Sequence, residues 1–370
     1  MLDAASRLSD YSRLEQTLFA RPKVRNLRVI VVGAGALGNE VVKALGLLGV
    51  GSVLVVDPGR VEPSDLTRSV FFRDTDCVGG NKAASLIQSA QRWFPDTSFA
   101  ALESEIADVG YGSLLGGSIL FSCVDSDLAR LEIASIAIST GLPVCDAGLG
   151  TPNYSHGRIS WFAAGAGACF GCKLTARKRR ELLMFWNATI RPCGDLASPQ
   201  LAPSTPTMAA ITGSLQVELG LRWLTQNLAE STTFEISLDG QPRSSTFRTP
   251  RSKSCPLHER QGAPRYALPR PDATFNELFQ SVTGSRWVVL DWPVSVRVRC
   301  LECGSEWAPM RRAAVVRRSW VCPSCESRSM LEQESVRMVE RDSQWSRLAP
   351  SALGLPENHR YSMRFENGAG

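Results

Sequence analysis

The chain has 370 residues, 44% hydrophobic and 21% charged, enough for one large or two ordinary domains with a buried core, which excludes a disordered tail or a disulfide-stapled miniprotein. No apolar run approaches the roughly 18 to 20 residues that span a bilayer, and the Met1-Leu-Asp-Ala-Ala-Ser start lacks a signal peptide's basic-then-apolar layout. The sequence therefore reads as soluble and cytoplasmic, with no membrane partner, and a net charge of only +5 gives no reason to expect nucleic acid.

From Leu27 to about Leu228, short β-branched apolar runs alternate with longer helical stretches. Leu27 to Val32 predicts a buried strand, followed by a glycine turn and a helix over 37–48. Ser52 to Val56 is the next strand, 82–92 a helix, Ser118 to Ser122 a strand and 128–140 a helix. Pro143-Val-Cys145 begins another strand, and His156 to Phe162 reads as an antiparallel addition at the far side. Alternation at these lengths predicts an α/β fold, a Rossmann-like, doubly wound and mostly parallel sheet.

The segment from Arg191 to Pro206 is too rich in proline for a regular element and predicts an exposed loop. Helical periodicity returns over 208–228, and 233–238 is strand-like. The predicted domains are a large α/β region over 1–260, a linker over 261–272, a small domain over 273–343 and a flexible tail over 344–370.

Gly33-Ala-Gly35-Ala-Leu-Gly38 lies between a strand and a helix, and Asp57 ends the next strand 19 residues beyond Gly38. Glycines let the turn tighten and let backbone N–H groups approach phosphate, while the acid accepts from a ribose. The pattern points to a nucleotide without choosing among NAD, FAD and ATP. Downstream stand Arg68, Lys82 and Asp125, the charges a triphosphate under attack needs: cations on its oxygens and a carboxylate for Mg²⁺. Each alone also has an ordinary structural reading, as a solvated loop charge, a helix N-terminal residue and an N-cap.

Taken in order, Tyr11-Ser-Arg13, the glycine turn, Asp57, Ser64-Asp-Leu-Thr-Arg68, Gly80-Asn-Lys82, Val124-Asp125, Cys169/Cys172 and Gly213-Ser-Leu-Gln-Val-Glu218 resemble the ThiF/MoeB superfamily of ATP-dependent adenylating enzymes, which includes the ubiquitin-activating enzymes. The likeness spans roughly Tyr11 to His258. It implies that Asp57 binds ribose, Arg68 and Lys82 the phosphates and Asp125 the Mg²⁺. Arg13 would serve as an arginine finger, often reaching into a partner's site, which implies a homodimer. In the phosphate region two positions depart from the family pattern, Asp65 standing where Asn is usual and Ser69 where Gln is usual, and the DNxxxxR-like stretch is also altered, with Ser126 after Asp125, although Arg130 remains. A carboxylate among phosphates repels them unless it faces Mg²⁺ or a cation.

Of eleven cysteines, six form the Cys-x-x-Cys pairs Cys169/Cys172, Cys300/Cys303 and Cys322/Cys325. Such spacing without an export signal points to metal or redox chemistry rather than a disulfide framework. Cys255-Pro-Leu-His258 offers two further ligands, with 82 residues intervening after Cys172, in a chain with only three histidines. Since the second pair in the resembled family is usually Cys-x-x-Cys, His258 reads as replacing the fourth cysteine of a structural Cys₃His Zn²⁺ site. A redox pair at Cys169/Cys172 is the alternative. Cys300/Cys303 and Cys322/Cys325, separated by eighteen residues, match a four-cysteine zinc ribbon, with Ser319-Trp-Val321 leading into the second knuckle. Arg311, Arg312, Arg317 and Arg318 read as a solvated edge or a face for a partner.

Cys193 lies in the proline-rich loop, where several members of the resembled family carry a cysteine that takes up the activated carboxylate, and Arg191 beside it favours a thiolate. Other members adenylate without one. Cys77, Cys123 and Cys145 read as packing. The expected function is ATP-dependent adenylation of the C-terminal carboxylate of a ubiquitin-like or sulfur-carrier protein, with Cys193 passing the acyl group to a conjugating enzyme in the first case. The rivals are an inactive binding subunit and an NAD(P)-dependent oxidoreductase.

Overall fold

The computed structural model describes residues 9–73, 75–150, 155–165, 167–187, 205–260, 264–318 and 321–365. They divide into two compact units, the first over 9–107, 114–175 and 205–260, the second over 108–113, 176–187 and 264–365. No helix among the described residues is long and apolar enough to cross a membrane.

In the first unit, strands β1 (Arg28–Val32), β2 (Ser52–Val56), β3 (Ser98–Leu102), β4 (Ile119–Ser122), β5 (Val144–Gly150), β6 (His156–Phe162), β7 (Thr232–Ser237) and β8 (Arg243–Arg248) form one sheet in the order β3-β2-β1-β4-β5-β6-β7-β8. The first five are parallel, and β6, β7 and β8 add on antiparallel. Parallel strands are covered on both faces, so β1 and β4 read as unbroken apolar runs; Val31 and Phe121 are fully buried. The strand order reverses at β1 and β4, the crevice where such sheets bind ligands.

The helices start where the sequence supplies caps. Helix α1 (Ala36–Leu48) ends at Gly49, whose φ of 65° suits glycine. Helix α2 (Lys82–Trp93) is capped by Asn81 accepting from Ala84 N, and α3 (Asp127–Thr140) by Ser126 accepting from Ala129 N. Helix α4 (Pro206–Thr225) starts with Thr205 as cap and Pro206 in its first turn. It lies so close to α1 that a Cβ on Gly213 would sit 2.7 Å from Glu40 Cβ.

The second unit is built on β10 (Ser285–Cys300), which pairs antiparallel with β11 (Glu306–Trp307), β12 (Arg311–Arg312), β13 (Met330–Glu340) and β14 (Arg360–Phe365); β14 in turn pairs β9 (Arg265–Ala267). Helix α5 (Phe275–Ser281), opened by a Thr274/Glu277 capping box, packs Phe275 and Phe279 on Val288, Leu290, Val339 and Tyr361. Beside this core Asp291 accepts from Arg265 at 2.8 and 2.9 Å and pairs with His359 Nε2 at 2.8 Å. Burial alone would push the Asp291 carboxyl up, but the hydrogen bonds from His359 and Arg265 outweigh it and hold the group well below the usual carboxylate range.

Two stretches differ from the sequence reading. The predicted linker contains β9, and the predicted tail contains β14, whose Tyr361 and Met363 are buried. Arg360-Tyr-Ser-Met-Arg-Phe365 has the alternation of a half-buried strand, which the surrounding polar residues obscure. The predicted arginine face is not one surface either. Arg312 is buried and its Nε donates to Asp108 at 2.6 Å, and Arg317 is ion-paired with Glu332.

Candidate functional site

The glycine turn joins β1 to α1, and its three glycines do different work. Gly33 has a φ of 100°, and a Cβ there would meet Cys123 O at 2.5 Å; a Cβ on Gly38 would meet Gly33 O at 1.9 Å. Both are demanded by the close packing of turn, helix and β4. A Cβ on Gly35 would meet nothing within 4 Å, so this glycine borders open space, as a backbone approached by phosphate requires.

Asp57, at the end of β2, accepts from Ala34 N at 2.6 Å through Oδ2 and from Gly59 N at 2.6 Å through Oδ1. The predicted ribose acid thus sits on the glycine turn. Asn81 ties the neighbouring loop together, donating to Asp57 O and Gly59 O at 3.0 and 3.2 Å while capping α2.

Arg68 and Lys82 come from separate elements and meet at Asp65. Asp65 Oδ1 lies 3.0 Å from Arg68 Nη2 and Oδ2 lies 3.0 Å from Lys82 Nζ, and Oδ2 also accepts from Glu62 N at 3.0 Å. The carboxylate side chain has no solvent exposure. Burial pushes its pKa up, but the hydrogen bonds from Glu62 N, Lys82 and Arg68 prevail and keep it below the ordinary value. The departure at position 65 is therefore resolved locally: the carboxylate faces two cations. Ser69, the other departure, is buried and its Oγ has no hydrogen-bond partner among the described residues.

Asp125 is exposed, just before the Ser126 cap of α3. Its loop is fixed from beneath by Arg130, which donates to Val124 O at 2.7 Å and Ala147 O at 3.2 Å and pairs with the buried Asp146 at 3.0 Å. Arg13 is exposed on a short turn, Ser12–Leu14, while Tyr11 beside it donates to Asp96 at 3.1 Å. Cys193 lies outside the described residues, as do most of the proline-rich loop and Ser319 and Trp320.

Two residues that brace the crevice were given no role in the sequence reading, although Gln216 lies within the Gly213–Glu218 motif. Asn39, fully buried in α1, donates to Ala34 O and Gly35 O at 2.9 and 3.0 Å and accepts from Phe71 N at 3.0 Å, clamping the glycine turn to the segment after Arg68. Gln216 of α4 donates to Ser122 O at 3.0 Å and Cys145 O at 2.8 Å, fixing the ends of β4 and β5. In each case the signal is a polar residue within a helix's apolar face.

The chain carries this arrangement over the region where a protein-family model matches it, ThiF family, residues 12–257. The chain belongs to the ThiF family. Among curated relatives, it is 34% identical over 131 residues to the adenylyltransferase and sulfurtransferase UBA4 of Saccharomyces cerevisiae (strain YJM789), covering 35% of this chain and 30% of that protein. It is 31% identical over 152 residues to the SAMP-activating enzyme E1 of Haloferax volcanii, covering 39% and 52%. The chain thus spans between about a third and half of these relatives. A solved structure of the Escherichia coli enzyme MccB is similar in fold, at 18% identity and a TM-score of 0.50, covering 65% of this chain and 67% of that one.

Outside the nucleotide crevice, two ligand sets converge. Cys169 Sγ lies 3.8 Å from Cys172 Sγ and 3.7 Å from Cys255 Sγ, and Cys172 Sγ lies 3.2 Å from His258 Nε2. In the second unit Cys300 and Cys325 are 3.6 Å apart, as are Cys303 and Cys322. In each set all four ligand atoms lie within 4.8 Å of one another. A tetrahedron with Zn–S bonds of about 2.3 Å has edges of about 3.8 Å, so both donor sets fit zinc. The two ribbon knuckles also repeat each other: Gly304 N donates to Cys300 O and Glu326 N to Cys322 O, with φ of 75° and 58° at the two donors. Cys123 and Cys145 are packing residues, Cys123 held by Gln216, and burial pushes both thiols far up.

Proposed function

We propose that this ThiF-family chain binds Mg·ATP on the glycine turn and adenylates the C-terminal carboxylate of a small ubiquitin-like or sulfur-carrier protein. One carboxylate oxygen attacks the α-phosphorus, the bond to the bridging β-phosphate oxygen breaks, and acyl-AMP and pyrophosphate result. The observation that carries the reading is the convergence, at the reversal point of the sheet, of Asp57 on the glycine turn with Arg68 and Lys82 at one carboxylate. Asp57 would exchange a backbone donor for the ribose hydroxyls, and Arg68 and Lys82 would take the phosphate oxygens.

Mg²⁺, when bound, would neutralise charge on the departing pyrophosphate. Asp125 would hold it: Arg130 and Asp146 fix its loop, and Asp125 is exposed, with no side-chain partner among the described residues. Rigid placement of this kind supplies most of what a phosphoryl or adenylyl transfer needs. Exposed Arg13 fits a finger offered to a second copy in a homodimer. Cys193 would accept the acyl group from AMP, its thiolate sulfur forming the thioester and AMP leaving, before transfer to a conjugating enzyme. The Cys₃His and Cys₄ sets would each hold a structural Zn²⁺.

ATP–pyrophosphate exchange dependent on a carrier protein ending in Gly-Gly tests the reading. Exchange in the parent and its loss in Asp125→Ala are expected. A parent that binds ATP without exchange would be an inactive subunit, and nucleotide-dependent NADH absorbance would indicate an oxidoreductase. Mass spectrometry after incubation with ATP and carrier should show a thiol-labile adduct that Cys193→Ala lacks.

A further inference from the structure

Asp65 is a fully buried carboxylate whose two oxygens are shared between the two cations assigned to the triphosphate, Arg68 and Lys82, each at 3.0 Å. Both oxygens are engaged, Oδ2 also by Glu62 N, and the side chain has no solvent exposure, so Asp65 faces the chain's own cations. It adds one fixed negative charge beside the phosphate-binding cations, and with the side chain itself out of contact with solvent that charge is screened less than a surface one. Resting on the adenylation reading, we propose that Asp65 sets the charge of the nucleotide that this site accepts: it disfavours metal-free triphosphate and makes binding depend on prior association with a divalent cation.

The argument is one of charge arithmetic. Arg68 and Lys82 without Asp65 would present two positive charges, and with it they present a net of one. A carboxylate's repulsion scales with the charge of the ligand it faces, about −4 for metal-free ATP and about −2 for its Mg²⁺ complex. In free-energy terms the penalty on the metal-free form is then twice that on the complex, so in affinity its factor is the square. Asn at position 65 still accepts from Glu62 N through its carbonyl, and therefore removes the charge while keeping the anchor of the turn.

The test is calorimetric titration of the full chain and of Asp65→Asn with a non-hydrolysable ATP analogue, at fixed ionic strength, with excess Mg²⁺ or with EDTA. The expected result is tighter binding by the variant, about threefold for the Mg²⁺ complex and about ninefold for the metal-free analogue. Asp65→Ala serves the same comparison should the Asn variant not fold, with thermal unfolding confirming integrity. Equal factors for the two forms, or weaker binding of both, overturn the proposal and leave Asp65 a residue that only holds Arg68 and Lys82 in place. A parent that binds the metal-free analogue as tightly as its Mg²⁺ complex overturns it without any variant. A parent that binds neither form instead refutes the adenylation reading on which the proposal rests.

Discussion

Asn39 is the most exacting test of how the glycine turn is held. Replacing it by Ala strips Phe71 N of its acceptor and Ala34 O of its side-chain donor, while Gly35 O keeps the helical N–H of residue 39. An orphaned buried N–H costs about 1–3 kcal/mol and a lost neutral hydrogen bond about 0.5–1.5 kcal/mol, for a total of about 2–4 kcal/mol. In a unit of this size that lowers the unfolding midpoint by about 6–12 °C. The assay is thermal unfolding followed by circular dichroism, with nucleotide titration below the transition. Because the turn and the Arg68 segment lose their common clamp, ATP affinity should fall as well. A midpoint within about 2 °C of the parent together with unchanged affinity would refute the claim that Asn39 joins the two halves of the site.

The glycines divide in a second test: Gly38→Ala, with Gly33 O 1.9 Å from the new methyl, should not give a stable first unit, whereas Gly35→Ala should fold normally and lose nucleotide affinity. Calorimetry and thermal melts separate these outcomes, and equal destabilisation by both would contradict the geometry. Metal analysis should find two equivalents of zinc, one lost in the double variant Cys255→Ala, His258→Ala and the other in Cys303→Ser, Cys325→Ser; unchanged content in either pair removes that site. Asp291 sets a pH limit. Its carboxyl is held low in the folded state, so the unfolded chain takes up the proton first, near pH 4; its contribution is full above that pH and is lost as pH falls further. The resistance of the second unit to urea should fall below about pH 4. Arg265→Ala, which leaves the buried carboxylate without its bidentate partner, should cost about 3–5 kcal/mol at pH 7; a loss under 1 kcal/mol would show that His359 alone suffices.

Much of the first unit was legible because parallel buried strands leave unbroken apolar runs: β1, β2 and β4 are where the sequence places them, and the Gly33 turn sits between them as predicted. β3 and β8 were not legible. β3 lies at the sheet edge with part of its surface in solvent, and β8, Arg243 to Arg248, is exposed at every residue, so neither carries a burial pattern. The two groupings of candidate metal ligands were readable from spacing because a Cys-x-x-Cys turn fixes its own geometry locally, even for His258, which lies 86 positions from Cys172. Asn39 and Gln216 were hidden because their partners are backbone carbonyls and N–H groups, which no sequence displays. Asp65 was visible as a departure, but only the fold brings Lys82 from 17 positions away to the same carboxylate as Arg68.

The sixteen-residue strand β10 begins in the apolar core beside Val288 and Leu290 and ends at the ligand Cys300. It is in effect a beam held at both ends, at one by hydrophobic packing and at the other by a knuckle. Its pairing with β13 is interrupted between Val289 and Val294, between Ser295 and Arg297 and between Arg297 and Val298. At those irregularities the ladder is locally disrupted. Damage to the ribbon, by chelation or oxidation, should therefore unzip the beam only back to the first of them, near Arg297, and leave the anchored half and its core intact.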